Sequence, residues 1–233
     1  MINKSNIMGF YRGPNIVTDG LVFAVDAGSE RCYPGTGTTT SNIINNASGT
    51  LTNGVAYTSS NGGAFDFDGT DDYIAFPDDT NLNNQALTME SWVKLDTTLY
   101  QKAFIFEKGS INTQYSNFQE NNGNFYFRTM NLSTRDLALN LTNHVSVGEW
   151  FHIVCTYGSG VKYIYINGVA ITTQTGLTGT IPTNTTGLFL GAYGPGSSYF
   201  IDGKIAVSRV YNKALTQAEV TQNYNAQKSR FGL

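Results

Sequence analysis

The sequence predicts an all-β protein, a two-sheet antiparallel β-sandwich with a short C-terminal helix. Three observations carry this expectation. Short runs rich in Val, Ile, Tyr, Phe and Thr recur along nearly the whole 233-residue chain, separated by Gly-, Asn- and Ser-rich turns. One segment, after Thr216, carries a convincing helix start. Charged residues make up only 13% of the chain, about half the level of an ordinary soluble domain, so Asn, Thr, Ser and Gln must cover the surface and the turns.

Residues 1–19 hold turn signals at Gly13-Pro14 and Asp19-Gly20 but no periodicity, and are expected to form an extended N-terminal arm. The domain proper is expected over 20–233. Residues 21–25 are a continuous apolar run, suited to a strand buried on both faces. Residues 34–63 read as loops and short strands. Strands at 64–67 and 73–76 flank Asp68-Gly69-Thr70-Asp71-Asp72, whose Asp and Gly residues tolerate tight-turn geometry. Over 87–95, Leu87, Met89, Ser91, Val93 and Leu95 alternate with Glu90, Trp92 and Lys94, the period-two pattern of a strand. Further strands fall at 103–107 and 124–130. Residues 150–157 and 161–166 form a hairpin across Gly158-Ser159-Gly160, and Asn167-Gly168 turns the chain toward 169–173. Strands at 186–193 and 204–211 follow. Thr216 and Glu219 then have the spacing of a capping box, the helix runs through Ala218, Val220, Tyr224 and Ala226, and Gly232 is its natural stop.

The segment G-x-I-A-x-x-R-V-Y-N-K-A-L-T-x-x-E-V (203–220) resembles the closing strand and helix of laminin-G-like, concanavalin A-like jelly-roll domains. GGAFDFDGTDDYIAFP (62–77) resembles the family's early hairpin, and EWFHIVCTYGSGVKYIYINGV (149–169) its W-H-x-V-x-x-Y…Y-(V/I)-N-G hairpin. The opening GPNIVTDGLVFAVDAGSERCYPGTGTT (13–39) and the tail QNYNAQKSRFG (222–232) resemble the versions found in structural proteins of tailed bacteriophages. Together these matches cover nearly the whole chain and imply a concanavalin A-like jelly roll.

Catalysis is not expected. A glycosidase on this fold needs two carboxylates about 5–10 Å apart, and the strand bearing Glu90 offers no acidic partner. Glu107, beside Lys108, reads as half of an exposed pair. His144 and His152 lack a nearby nucleophile motif, and Gly194-Pro195-Gly196 lacks the Lys and helix of a phosphate loop. A net charge of -3 without a basic run argues against a nucleic-acid partner. No window reaches transmembrane length, so no membrane insertion is expected. Cys32 and Cys155 lack metal spacing and read as two free thiols. Trp92 and Trp150 lie on strands and read as core.

Sugar binding needs aromatic faces for stacking and polar groups for hydroxyls. Tyr100, Tyr115, Phe118, Tyr193 and Tyr199 fall in or near expected loops with Asn112, Gln114, Asn117 and Asn121 interleaved, and of these Tyr100, Tyr115, Asn117, Tyr193 and Tyr199 are the candidate carbohydrate-binding set. No cofactor is expected. The resemblance implies a structural calcium for many laminin-G-like domains, with Asp26 of the opening strand and Asp68, Asp71 and Asp72 as candidate ligands. Against it, Ala206 stands where cellular relatives carry an acidic residue. The resemblance further implies a non-enzymatic phage virion structural protein, a capsid decoration or tail-fibre component. Such a chain would be made in the host cytoplasm and carried in the virion. It would act through contacts with phage capsid or tail proteins and with copies of itself as a homo-oligomer. The alternative is a carbohydrate-binding, lectin-like adhesion module for host-surface glycans.

Overall fold

The computed structural model describes residues 15–110, 113–194, 196 and 198–233; residues 1–14 of the expected arm lie outside the described residues. In chain order the strands begin β1 (Leu21–Asp26), β2 (Thr39–Ser41), β3 (Ser48–Thr52), β4 (Ala56–Thr58), β5 (Ala64–Asp68), β6 (Tyr73–Phe76), β7 (Leu87–Leu95) and β8 (Ala103–Lys108). They continue β9 (Tyr115–Gln119), β10 (Asn124–Thr129), β11 (Asp136–Asn140), β12 (Trp150–Gly158), β13 (Val161–Ile166), β14 (Val169–Gln174), β15 (Leu188–Leu190) and β16 (Asp202–Tyr211). One α-helix, α1 (Gln217–Gln227), follows among the described residues.

The strands form two eight-stranded antiparallel sheets. Sheet A has the order β14-β13-β12-β7-β16-β5-β4, with β1 pairing the second half of β16 and β5 the first. Sheet B has the order β11-β10-β9-β8-β15-β6-β3-β2. The all-β sandwich expected from the sequence is the observed fold. No helix among the described residues is long and apolar enough to cross a membrane.

Alternation along each strand decides what enters the space between the sheets. Leu87, Met89, Val93 and Leu95 of β7 join Ile153 and Cys155 of β12 and Phe106, Phe125 and Phe127 of sheet B in the main core. The opposite face of β7 is covered by α1 and the residues after it. There Trp92 stacks on Phe231, with centroids 4.2 Å apart. Ala206 is buried in this same cluster, beside Trp92, Trp150 and Phe231, so the acidic residue of the family pattern would meet aromatic rings at this position. Gly203 (φ +154°) lets β16 lie close on β7, since a Cβ there would come 2.2 Å from the Lys94 carbonyl oxygen.

The helix start forms as its sequence predicts. The Glu219 N–H donates to Thr216 Oγ1 at 3.3 Å and the Thr216 N–H donates to Glu219 Oε2 at 2.8 Å. Gly232, at φ +78°, ends the 3₁₀ turn that follows the helix. Residues 15–19 of the expected arm are tied to the domain: the Val17 N–H donates to Asn223 Oδ1 at 2.7 Å, and Tyr211 donates its hydroxyl to the Val17 carbonyl at 3.1 Å. Both cysteines are free and buried. Strands β9 and β11 are additions to the expected set. The core-facing side of β9 carries Tyr115, Asn117 and Gln119, so its apolar alternation is faint.

Candidate functional site

On β9 and β10, Tyr115, Phe125 and Phe127 enter the main core, so Phe118, Tyr126 and Arg128 project from the outer face of sheet B. Cross-strand register aligns Phe104 of β8 with Phe118, and Phe118 with Tyr126. The rings stack in sequence, Phe104 on Phe118 at 4.5 Å and Phe118 on Tyr126 at 5.4 Å, with interplanar angles of 11° and 15°. The loop at 191–200 adds Tyr193, 4.6 Å from Phe104, and Tyr199, 5.6 Å from Tyr193. Gly196 (φ +69°) lies against Tyr73, where a Cβ would meet the ring at 2.2 Å.

Cations flank the rings. Lys102 Nζ sits 4.5 Å from the Tyr199 centroid, and the Arg128 guanidinium 4.6 Å from that of Phe118. Phe104 and Phe118 are buried beneath, Tyr126 is half-buried, and Tyr199 is 42% exposed. The result is a stacked aromatic platform with three rings, Tyr126, Tyr193 and Tyr199, reaching solvent. Its polar rim includes the Arg128–Asp136 pair at 2.8 Å and the Lys102–Glu120 pair at 2.8 Å.

Of the expected sugar-binding residues, Tyr193 and Tyr199 belong to this platform. Tyr100 is 60% exposed, and among the described residues no ring contact links it to the others. Tyr115 and Asn117 are corrections: β9 turns both inward, where they are 1% and 0% exposed. The Tyr115 hydroxyl donates to the Leu82 carbonyl at 3.0 Å. Both residues lie on a strand that reads as a loop. Phe118 was among the expected loop aromatics, whereas Phe104, Tyr126, Lys102 and Arg128 were not. The Phe-Tyr-Phe-Arg alternation of β10 was the available signal for Tyr126 and Arg128.

Glu107 and Lys108, expected as an exposed pair, are instead buried and point to opposite faces. Lys108 Nζ donates to Asp78 Oδ1 at 2.9 Å and Asn184 Oδ1 at 3.1 Å. Glu107 lies on the outer face beneath the loop and accepts the Gly194 N–H. Burial pushes its carboxyl up to about 7, against the opposing pull of the Gly194 N–H and the Arg128 charge.

Register runs Glu107 to Ser116, to Arg128, to Asp136 across four strands. Three strand spacings put the backbones of Glu107 and Asp136 about 14 Å apart, and Arg128 stands between them, paired with Asp136 at 2.8 Å and acting on Glu107. Glu90 is on the other sheet and fully buried. It receives Arg209 Nη1 at 2.7 Å, His152 Nε2 at 3.0 Å and Asn223 Nδ2 at 2.7 Å. Burial alone would raise its carboxyl, but Arg209, His152 and Asn223 outweigh this and hold it at about 2.

The metal candidates separate. Asp26 is claimed by Arg230, whose Nη1 lies 2.8 and 3.0 Å from its two oxygens, so Asp26 is corrected from candidate ligand to ion-pair partner. Asp68, Asp71 and Asp72 do gather, with one oxygen from each within 4.8 Å of the others. Asp72 is 3% exposed. Its Oδ2 accepts the Asp68 N–H at 3.1 Å, and its Oδ1 has no partner among the described residues. Burial raises the Asp72 carboxyl, and the neighbouring carboxylates add to the rise. The donor set fits a hard cation. Three carboxylate oxygens are half or less of the six to eight that calcium takes, so carbonyls and water would complete the shell.

The family model described as the concanavalin A-like lectin/glucanases superfamily (Laminin_G_3) matches residues 68–221. No curated protein matches the chain in sequence. Among solved structures, a mutant of Trypanosoma rangeli sialidase displaying trans-sialidase activity is similar with a TM-score of 0.70 and 13% identity, over 92% of this chain and 34% of that one. The receptor binding domain of botulinum neurotoxin C/D mosaic serotype gives 0.71 and 15%, over 91% of this chain and 52% of that one. The binding domain of Paraclostridial Mosquitocidal Protein 1 gives 0.67 and 16%, over 89% and 52%. The chain thus spans a third to a half of these structures, and at such identity the likeness shows the fold alone. With a family match over more than half of its length and a sandwich to go with it, the chain belongs to the concanavalin A-like lectin/glucanases superfamily.

Proposed function

We propose that the chain is a non-catalytic glycan-binding module that reads its ligand on the outer face of sheet B. The stacked platform with Tyr126 and Tyr199 at its surface carries this reading. Aromatic rings held by their neighbours offer the apolar face of a sugar a surface that loses little entropy on binding. The Arg128–Asp136 and Lys102–Glu120 pairs supply hydrogen bonds at the rim. The full burial of Glu90 on the other sheet supports a site without catalysis. Receptor-binding domains among the fold neighbours are in keeping with this reading.

Glycan-array screening followed by calorimetry tests it. Tyr199→Ala and Tyr126→Ala should each weaken the best ligand by roughly tenfold while leaving the unfolding midpoint within the small range of surface changes. An array on which the wild type binds nothing, or binding indifferent to both substitutions, would overturn the reading.

A virion location is a second reading, supported by the likeness of 13–39 and 222–232 to tailed-phage structural proteins. It is compatible with glycan binding: the arm anchors the domain in the particle and sheet B faces the host. Because residues 15–19 are bonded to the domain, the informative deletion is 1–14. It should abolish incorporation into particles while glycan binding persists, and incorporation at wild-type levels would refute the anchoring role.

A further inference from the structure

Three oxygens converge on one buried amine at the edge of the main core. Lys108 closes β8 with its side chain 0% exposed. Its Nζ donates to Asp78 Oδ1 at 2.9 Å, to Asn184 Oδ1 at 3.1 Å and to the Thr186 carbonyl at 2.5 Å. One carboxylate is enough to pair an ammonium. Here a carboxamide lies against the same nitrogen, and both are brought to it by the segments that follow β6 and precede β15.

Asn184 is held in place on every side. Its backbone N–H donates to Asn83 Oδ1 at 3.3 Å, and its backbone carbonyl accepts Asn83 Nδ2 at 3.3 Å. Its side-chain oxygen accepts the Thr186 N–H at 2.9 Å, and its side-chain nitrogen donates to Gln114 Oε1 at 2.9 Å. Gly109 leaves the room for it, since a Cβ there would come 2.7 Å from Asn184 Nδ2. The carboxamide cannot turn away from Lys108 without breaking these bonds.

These are the parts of an amide-forming reaction. A lysine amine is a nucleophile once it has lost its proton, and Asp78 is a base within hydrogen-bond reach. The Thr186 N–H, already on Asn184 Oδ1, stabilises the negative charge that grows there when Cγ is attacked. Amine and carboxamide are held together by the fold, so the encounter that an intermolecular reaction would need is already made. We propose that Lys108 and Asn184 join in an intramolecular isopeptide bond, with Asp78 as the acid–base group. The Lys108 ammonium passes a proton to Asp78, and Nζ attacks Asn184 Cγ to form the new N–C bond. Asp78 delivers that proton to Nδ2 and accepts the next one from Nζ. The oxyanion reforms the carbonyl as the Cγ–Nδ2 bond breaks, and ammonia leaves, carrying off the last proton as ammonium. The bond ties β8 to the approach of β15 across 76 residues and encloses β9 to β14 in one covalent loop, a constraint that acts on the unfolded chain.

Intact-mass spectrometry of the full chain, with peptide mapping, tests this. Wild type should be lighter by one ammonia than its sequence requires, and its tryptic digest should hold a branched peptide joining Lys108 to Asn184. A succinimide at an Asn-Gly step, such as Asn53-Gly54 or Asn167-Gly168, loses the same mass but opens in mild base, whereas the isopeptide bond persists. Asn184→Ala and Asp78→Ala should each show the full mass of the variant sequence, and Asn184→Ala should unfold at a lower temperature than wild type. Full sequence mass in wild type after prolonged incubation would make Lys108 an ion-pair partner only and overturn the proposal. So would an ammonia loss that mild base reverses or that maps away from Lys108. Cross-linked Asp78→Ala would overturn the role given to that carboxylate.

Discussion

Arg209→Met should destabilise the protein by roughly 3–5 kcal/mol at neutral pH, because it strands the Glu90 carboxylate in the interior. Glu90 is 0% exposed beneath α1, and Arg209 is the guanidinium that faces it. Arg209 also holds the helix end, donating from Nη2 to Gln227 Oε1 at 2.9 Å. Pairing the change with Glu90→Gln should recover much of the loss, since the buried charge then disappears together with its partner. Urea unfolding of the two single variants and the double variant gives the coupling directly. Additive losses would show that the pair is not coupled. The same network predicts an acid response. The Glu90 carboxyl is lowered from 4.5 to about 2 in the folded protein, so its contribution is complete above pH 4.5 and is lost as pH falls toward 2. That contribution is about 3 kcal/mol. Glu90→Gln should lack this part of the acid response, and a variant with the wild-type acid profile would contradict the assignment.

Glu107→Gln should act with the opposite sign. Its carboxyl is raised from 4.5 to about 7 by burial beneath the 191–200 loop. A raised folded value favours the protonated form, so stability is greatest below pH 4.5 and declines as pH rises through 7. The decline amounts to at most about 3 kcal/mol. Glutamine keeps an oxygen for the Gly194 N–H and removes the charge. The variant should match wild type near pH 4 and exceed it in urea midpoint at pH 8. Equal midpoints at both values would place the charge in contact with water. Arg128 is the cation facing Glu107 from β10 and limits the shift, so Arg128→Met should enlarge the pH dependence.

The two predictions concern residues that the chain reads poorly. Glu90 shows as a lone acid on an alternating strand, and neither Arg209 nor Asn223 announces itself as its partner. Glu107-Lys108 has the look of a surface pair, yet the β8 register sends the two side chains to opposite faces, each into its own buried hydrogen-bonding site. Tyr115 and Phe118 sit three residues apart in one polar-looking stretch. A single unseen strand makes the first a core residue and the second part of the aromatic platform.

What the sequence determined by itself is whatever depends on near neighbours. The period-two faces of β7, the hairpin across Gly158-Ser159-Gly160, the Thr216–Glu219 cap and the Gly232 stop are set by backbone sterics and side-chain–backbone bonds within a few residues. Those local rules, repeated along the chain, were enough for the all-β sandwich and its closing helix. The tertiary structure alone decided which carboxylates are paired and which rings stack. Asp26 meets Arg230 across 204 residues and Glu90 meets Asn223 across 133. The platform draws Phe104, Phe118, Tyr126 and Tyr199 from three strands and a loop. Such contacts follow from strand order and register, which two sheets settle together by burying their apolar faces against each other, and no stretch of the chain encodes that choice alone.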